Sequence, residues 1–239
     1  MSYRNIRPLH ILWQKNLDIA MLEGVTSGIR SVLSLAGVGE EVRLRYLAQR
    51  RQSEWINKDG TFIEYRSLDW HIEHARQKSN ELGYLNSTAL LNSLWYNEFC
   101  PADARYDLVV LNEPLHWHEN SQRKVAGIGR PNQGSVITIG KYVNLLQPTR
   151  RETSWQKEKR QFNFFLATRI LTMHELGHVF GLFPGTDKED PTDDELKESH
   201  CPNQCAMYWR LDIKLIKKIA GQPFCQSCLE ELKKFFITP

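Results

Sequence analysis

The sequence predicts an α+β protein, and three observations carry that reading: helical periodicity in long stretches, short β-type segments between them, and a cysteine-rich end. The first helix is predicted over 17–35, where Leu17, Ala20, Met21, Val25, Ile29 and Val32 share one stripe and Gly37-Val38-Gly39 ends the run. Alternation over 41–47 predicts a strand, and 61–65 a second. Residues 67–82 and 87–99 read as helices. The apolar, β-branched run 106–111 reads as a buried strand. Next come a strand over 125–130, a turn at Pro131-Asn132-Gln133-Gly134 and a strand over 135–140. A long helix follows over 153–181, with Gly181 placed to let the chain leave in a left-handed turn. There is no internal repeat.

Composition excludes several function classes. A net charge of +3 is too small to argue for a nucleic-acid partner. The basic groups Arg43, Arg45, Arg50, Arg51 and Arg150, Arg151, Lys157, Lys159, Arg160 read as solvated faces. No apolar run is long enough to span a bilayer, so no membrane partner is expected. The opening residues Met1 to Pro8 lead into no sustained apolar segment, and a cytoplasmic protein is expected.

The chemistry is concentrated in His174-Glu175-Leu176-Gly177-His178-Val179-Phe180-Gly181, which reads HExxHxxG. Two histidines four residues apart stand one above the other on a helix face, so both imidazoles can reach one metal ion. Glu175 then lies close enough to take a proton from water on that metal. Cys201, Cys205, Cys225 and Cys228 form C-x3-C and CxxC pairs, the spacing of a structural zinc site; two disulfides are the alternative. Cys100 is left over as a buried thiol. His71 with His74, and His116 with His118, lack a third ligand nearby and read as structural.

Metzincins continue HExxHxxG through two residues to a third histidine. Here Pro184 takes that place, and His200-Cys201 comes sixteen residues later, followed by Cys205-Ala206-Met207. With 184–199 removed the chain reads HELGHVFGLF-HCPNQCAM, and Cys225-x-x-Cys228 follows. This string resembles the archaemetzincin signature, a family of zinc metallopeptidases in the metzincin clan, with an insertion before the third histidine. The family has four residues between its first two cysteines, and this chain has three.

The resemblance implies a mixed sheet with an active-site helix in an upper subdomain over 1–181. A lower helical subdomain over 182–239 would hold the acidic insertion, the Met-turn and the four-cysteine site. It implies two zinc ions, one catalytic on His174, His178 and His200, one structural on Cys201, Cys205, Cys225 and Cys228. Glu175 would be the general base, activating zinc-bound water to hydrolyse a peptide bond, and Met207 the Met-turn residue flooring the site. An acid of the insertion, Asp187 or Glu195, is the alternative third ligand. The insertion reads as a surface loop with a short capped helix at 191–198, gating the cleft or favouring basic substrates. Tyr208 and Trp209 follow Met207 and could shape the specificity pocket, with aromatic core packing the preferred reading. The strand near 125–130 would align an extended peptide. The reading is therefore a monomeric zinc peptidase acting on a peptide or protein; the alternative is a catalytically inactive metzincin-fold zinc protein serving as an interaction module.

Overall fold

The computed structural model describes residues 6–17, 19–49, 67–77, 85–95, 105–117, 124–147, 151–183 and 192–237. The strand expected at 61–65, the later turns of the helices expected to reach 82 and 99, Cys100, His118 and Asp187 lie outside those residues.

A five-stranded mixed sheet organises the molecule. It is built from β1 (Leu9–Trp13), β2 (Leu44–Ala48), β4 (Tyr106–Leu111), β7 (Gly127–Arg130) and β8 (Gly134–Thr138), in the order β2-β1-β4-β8-β7. The first four strands in that order run parallel, and β7 pairs antiparallel with β8 through a tight hairpin, closing one end of the sheet. A small sheet of β3 (Leu85–Asn86), β5 (Leu115–His116) and β6 (Lys124–Val125) flanks it.

Strand alternation sorts side chains between two cores. Leu9, Ile11, Tyr106, Leu108, Val110 and Ile137 face a large core under α1 (Glu23–Ala36) and α4 (Ser154–Val179). Leu12, Val109, Leu111 and Val136 face a smaller core with α2 (Leu68–Gln77) and α3 (Ser87–Trp95). β1 is the central strand that sequence reading missed, as it missed the two-residue strands β3 and β5. Its run Leu-His-Ile-Leu-Trp is too short to show a period, yet it lies between β2 and β4 and is buried along nearly its whole length. The predicted first helix divides into a 3-10 turn at Ile19–Leu22 and α1, which ends on left-handed Gly37 as expected.

α4 is the helix that carries the HExxH pair, and its start is written locally. The Thr153 hydroxyl accepts from Gln156 N, and the Gln156 side chain accepts from Thr153 N. At its other end Leu182 N donates to Gly177 O at 2.9 Å, and Gly181 takes φ +81°. α5 (Asp193–Glu198), α6 (Ile213–Ile219) and α7 (Gln226–Ile237) follow, and Ile216, Phe224, Leu232 and Phe236 join the same large core. Among the described residues no helix is long and apolar enough to cross a membrane.

α1 and α4 approach through glycines one turn apart. A Cβ on Gly24 would fall 2.7 Å from Phe165 O, and one on Gly28 would fall 2.6 Å from Arg169 O. A side chain at either place meets backbone, which cannot rotate away. Gly28→Val is therefore expected to destabilise the protein by about 1–3 kcal/mol, read as a lower denaturation midpoint with unchanged slope.

Candidate metal centre

α4 delivers His174, Glu175 and His178 into the interior, each less than a tenth exposed. The insertion brings the third imidazole. Thr192 caps α5 in a reciprocal bond with Glu195, whose carboxylate accepts from Thr192 N at 2.9 Å. The acids of the first turn suit the helix dipole there. One residue beyond the helix cap the chain turns His200 against α4, with ring centroids 5.2 Å from His174 and 5.0 Å from His178. Among the described residues one ligand atom each from His174, His178 and His200 lie within 4.8 Å of one another. Glu195 instead caps its helix.

Backbone carbonyls set the direction of every ring. His174 Nδ1 faces Ala206 O at 2.6 Å, and His200 Nδ1 faces Leu196 O at 2.6 Å. His178 Nδ1 faces Leu182 O at 3.0 Å and also Phe183 O. A carbonyl only accepts, so each Nδ1 carries the proton and each neutral ring presents a bare Nε2 lone pair. Burial holds the His178 ring neutral, pushing its pKa down to about 4, with His200 nearby adding to the effect against the carbonyl contacts. Burial lowers His200 too.

Lone pairs turned toward one another repel unless a cation lies between them. His174 Nε2 and His178 Nε2 stand 3.3 Å apart. Two nitrogens about 2.0–2.1 Å from a shared tetrahedral zinc would be separated by about 3.3–3.4 Å. The donor set and its spacing fit a zinc ion.

The four cysteines make a second candidate centre. Cys201 Sγ lies 3.7 Å from Cys225 Sγ, and Cys205 Sγ 3.8 Å from Cys228 Sγ. All four sulfurs fall within 4.8 Å of one another. Sulfurs about 2.3 Å from a tetrahedral zinc would stand about 3.8 Å apart, far beyond the roughly 2.05 Å of a disulfide. The C-x3-C loop therefore reaches a tetrahedral arrangement with its three intervening residues. The Cys228 thiol donating to Cys205 pulls Cys205 down to about 5 and is itself pushed up in turn, while burial raises Cys201.

The two centres share backbone. Cys201 adjoins His200, and Ala206, whose carbonyl holds His174, lies between Cys205 and Met207. Cys201 N donates to Met207 O at 3.0 Å, closing that turn. Met207 is fully buried against the helix at Gly177, where a Cβ would fall 2.3 Å from its sulfur. The thioether thus sits beneath the histidine helix as a soft packing contact.

Sequence reading missed two groups in this region. In β7, Gly127 and Gly129 turn toward α4: a Cβ on Gly127 would lie 2.7 Å from the Glu175 carboxylate, and one on Gly129 2.7 Å from Glu175 O and 2.8 Å from His178 Cβ. Alternate glycines in a strand signal a close backbone approach, which could have marked them. The second is Tyr142, in the 3-10 helix Gly140–Leu146 that follows β8. Together with Glu175, Leu171, His174, His200 and Trp209 it lines a cleft of about 430 Å³. Trp209 is a cleft wall, correcting its reading as core: only partly buried, it has the Lys197 ammonium 5.6 Å from its ring centroid. Among the described residues His71 and His74 join no metal group; His71 meets Ser93 Oγ at 2.9 Å and His74 stacks on Trp70.

No protein-family model matches the sequence, and no curated protein sequence does. The three-dimensional comparison is decisive. Over 97% of this chain and 96% of the other, the structure matches the crystal structure of archaemetzincin from Methanopyrus kandleri, with a TM-score of 0.55 and 18% sequence identity. The fold is archaemetzincin-like. Within that archaemetzincin-like fold stand a three-histidine cluster and a four-cysteine cluster, each able to hold a metal ion.

Close packing of β7 on α4 positions the centre, so the glycines should be intolerant of a side chain. Gly129→Ala is expected to lower stability by about 1–3 kcal/mol, because the added carbon meets the backbone of the histidine helix. Chemical denaturation against the unsubstituted protein measures it.

Proposed function

We propose that the protein is a zinc metallopeptidase. The observation that carries this reading is the convergence of three Nε2 lone pairs beside the buried carboxylate of Glu175, at the floor of a cleft that an edge strand borders. A zinc ion held by His174, His178 and His200 supplies a Lewis acid with an open position, which acidifies water and polarises a carbonyl.

The chain's own residues do the rest. Glu175 Oε1 lies 3.9 Å from His174 Nε2, within reach of a reacting group at the histidine cluster. Its carboxylate accepts a proton from the attacking water and returns it to the nitrogen of the leaving amine. β7 ends the sheet on this side, and its outer main-chain groups can pair with an extended peptide. Gly127 keeps that strand close enough for a scissile bond to lie over Glu175. The insertion helix supplies Asp193, Leu196 and His200 to the opposite wall, so the segment that delivers the third histidine also shapes the cleft. The cysteine cluster holds a structural zinc. Its converging free thiols suit a reducing, cytoplasmic setting.

Elemental analysis and cleavage of a peptide library test this reading. The protein should carry two zinc ions, His200→Ala one, and Glu175→Gln two. Glu175→Gln should cut peptides slower by at least about 100-fold. Cleavage by that variant at the original rate would overturn the peptidase reading and favour the interaction module, which has no use for a base.

A further inference from the structure

The cleft contains a buried polar group that the proposed chemistry leaves idle. Tyr142 is 9% exposed, and among the described residues its buried hydroxyl has no hydrogen-bond partner. A buried donor without a partner lowers stability, and such groups call for a reason in function. Its backbone is firmly held. Tyr142 N donates to Ile139 O at 2.9 Å, and Gly140 packs so closely on Asn112 O that a Cβ there would fall 2.7 Å away. Gly140 N donates to Thr138 Oγ1, which in turn donates to Glu113 O at 2.6 Å. The ring belongs to the large core, so the phenol is presented by a rigid support.

It lines the same cleft as Glu175. Burial pushes the phenol up to about 12, and the negative charge of Glu175 adds to the rise, so the group stays protonated as a donor. Glu175 is otherwise packed beneath Gly127 on one side and beside His174 Nε2 on another.

We propose that Tyr142 is the positioning residue of the base: in the zinc-loaded protein its Oη–H donates to the Glu175 carboxylate and holds it turned into the cleft. This rests on the peptidase reading for its consequence in catalysis. The hydrogen bond itself does not. A glutamate that must serve first the water and then the leaving amine gains from one fixed partner, because a carboxylate out of line loses rate steeply. No proton leaves the phenol; it donates throughout.

The test is a double-substitution cycle on the zinc-loaded chain with a cleaved peptide, using Tyr142→Phe, Glu175→Asp and both together. Tyr142→Phe should lower kcat by about 10- to 100-fold, the scale of one hydrogen bond to a charged group, with KM and zinc content unchanged. In the Glu175→Asp background, where the shortened carboxylate no longer reaches, Tyr142→Phe should add nothing further. An unchanged kcat or a full additional loss in the Glu175→Asp background would each overturn the assignment; the last would mean that the phenol acts on substrate directly. A Raman difference spectrum between the unsubstituted protein and Tyr142→Phe isolates the Tyr142 doublet without any turnover. A strong-donor signature that disappears in Glu175→Gln supports the bond even if the protein cuts no peptide, in which case only the peptidase reading falls. A doublet unaffected by Glu175→Gln overturns the bond.

Discussion

Three backbone carbonyls, those of Ala206, Leu182 and Leu196, govern the candidate centre more than the histidines themselves do. An imidazole has two nitrogens, and a histidine on a helix can offer either. With Nδ1 tied to a carbonyl, the proton is placed and Nε2 is left bare and aimed. Each carbonyl comes from a different element: the turn before Met207, the exit of α4, and the end of α5. The metal geometry is thus a statement about how three turns pack. Each must be in place before the lone pairs converge.

That requirement explains why the cysteine cluster lies where it does. The turn carrying Ala206 is too small to be held by apolar burial alone, and it has sulfur neighbours on both sides. Cys201 and Cys205 bracket it from the chain, while Cys225 and Cys228 approach from the start of α7. A metal at the four sulfurs would tie these segments together and so present both the Ala206 carbonyl and His200. Met207 completes the arrangement by filling the hollow that Gly177 leaves in the histidine helix. Stability and site geometry run through the same few residues.

Small residues perform the corresponding task on the sheet side. Gly24 and Gly28 let α1 lie directly on α4, and Gly127 and Gly129 let β7 lie on the face that bears Glu175 and His178. The histidine helix is therefore enclosed at backbone distance from two directions. Asn132 N adds a bond to Val179 O at 2.9 Å, fastening the hairpin tip to the helix end. Glu175 has little freedom in such surroundings, and a fixed carboxylate needs little reorganisation when it takes up a proton.

Much of this was legible in the one-dimensional chain. The helix cap at Thr153, the i, i+4 histidines, the exit at Gly181, the capped turn after Pro191 and the paired cysteines are all local patterns, written within a few residues of one another. Strand β1 was hidden because five buried residues carry no period, and the antiparallel hairpin was visible because its turn residues announce it. By itself the sequence determined which side chains are chemically able to bind metal and which helix bears two of them. Only the tertiary structure decided that His200 rather than Glu195 meets that helix, which nitrogen each ring exposes, that Trp209 borders the cleft, and that Gly127 packs on Glu175 while Tyr142 lines the same cleft. Those outcomes depend on carbonyls and glycine backbones brought together across long stretches of chain, and main-chain groups are the same at every position until folding places them.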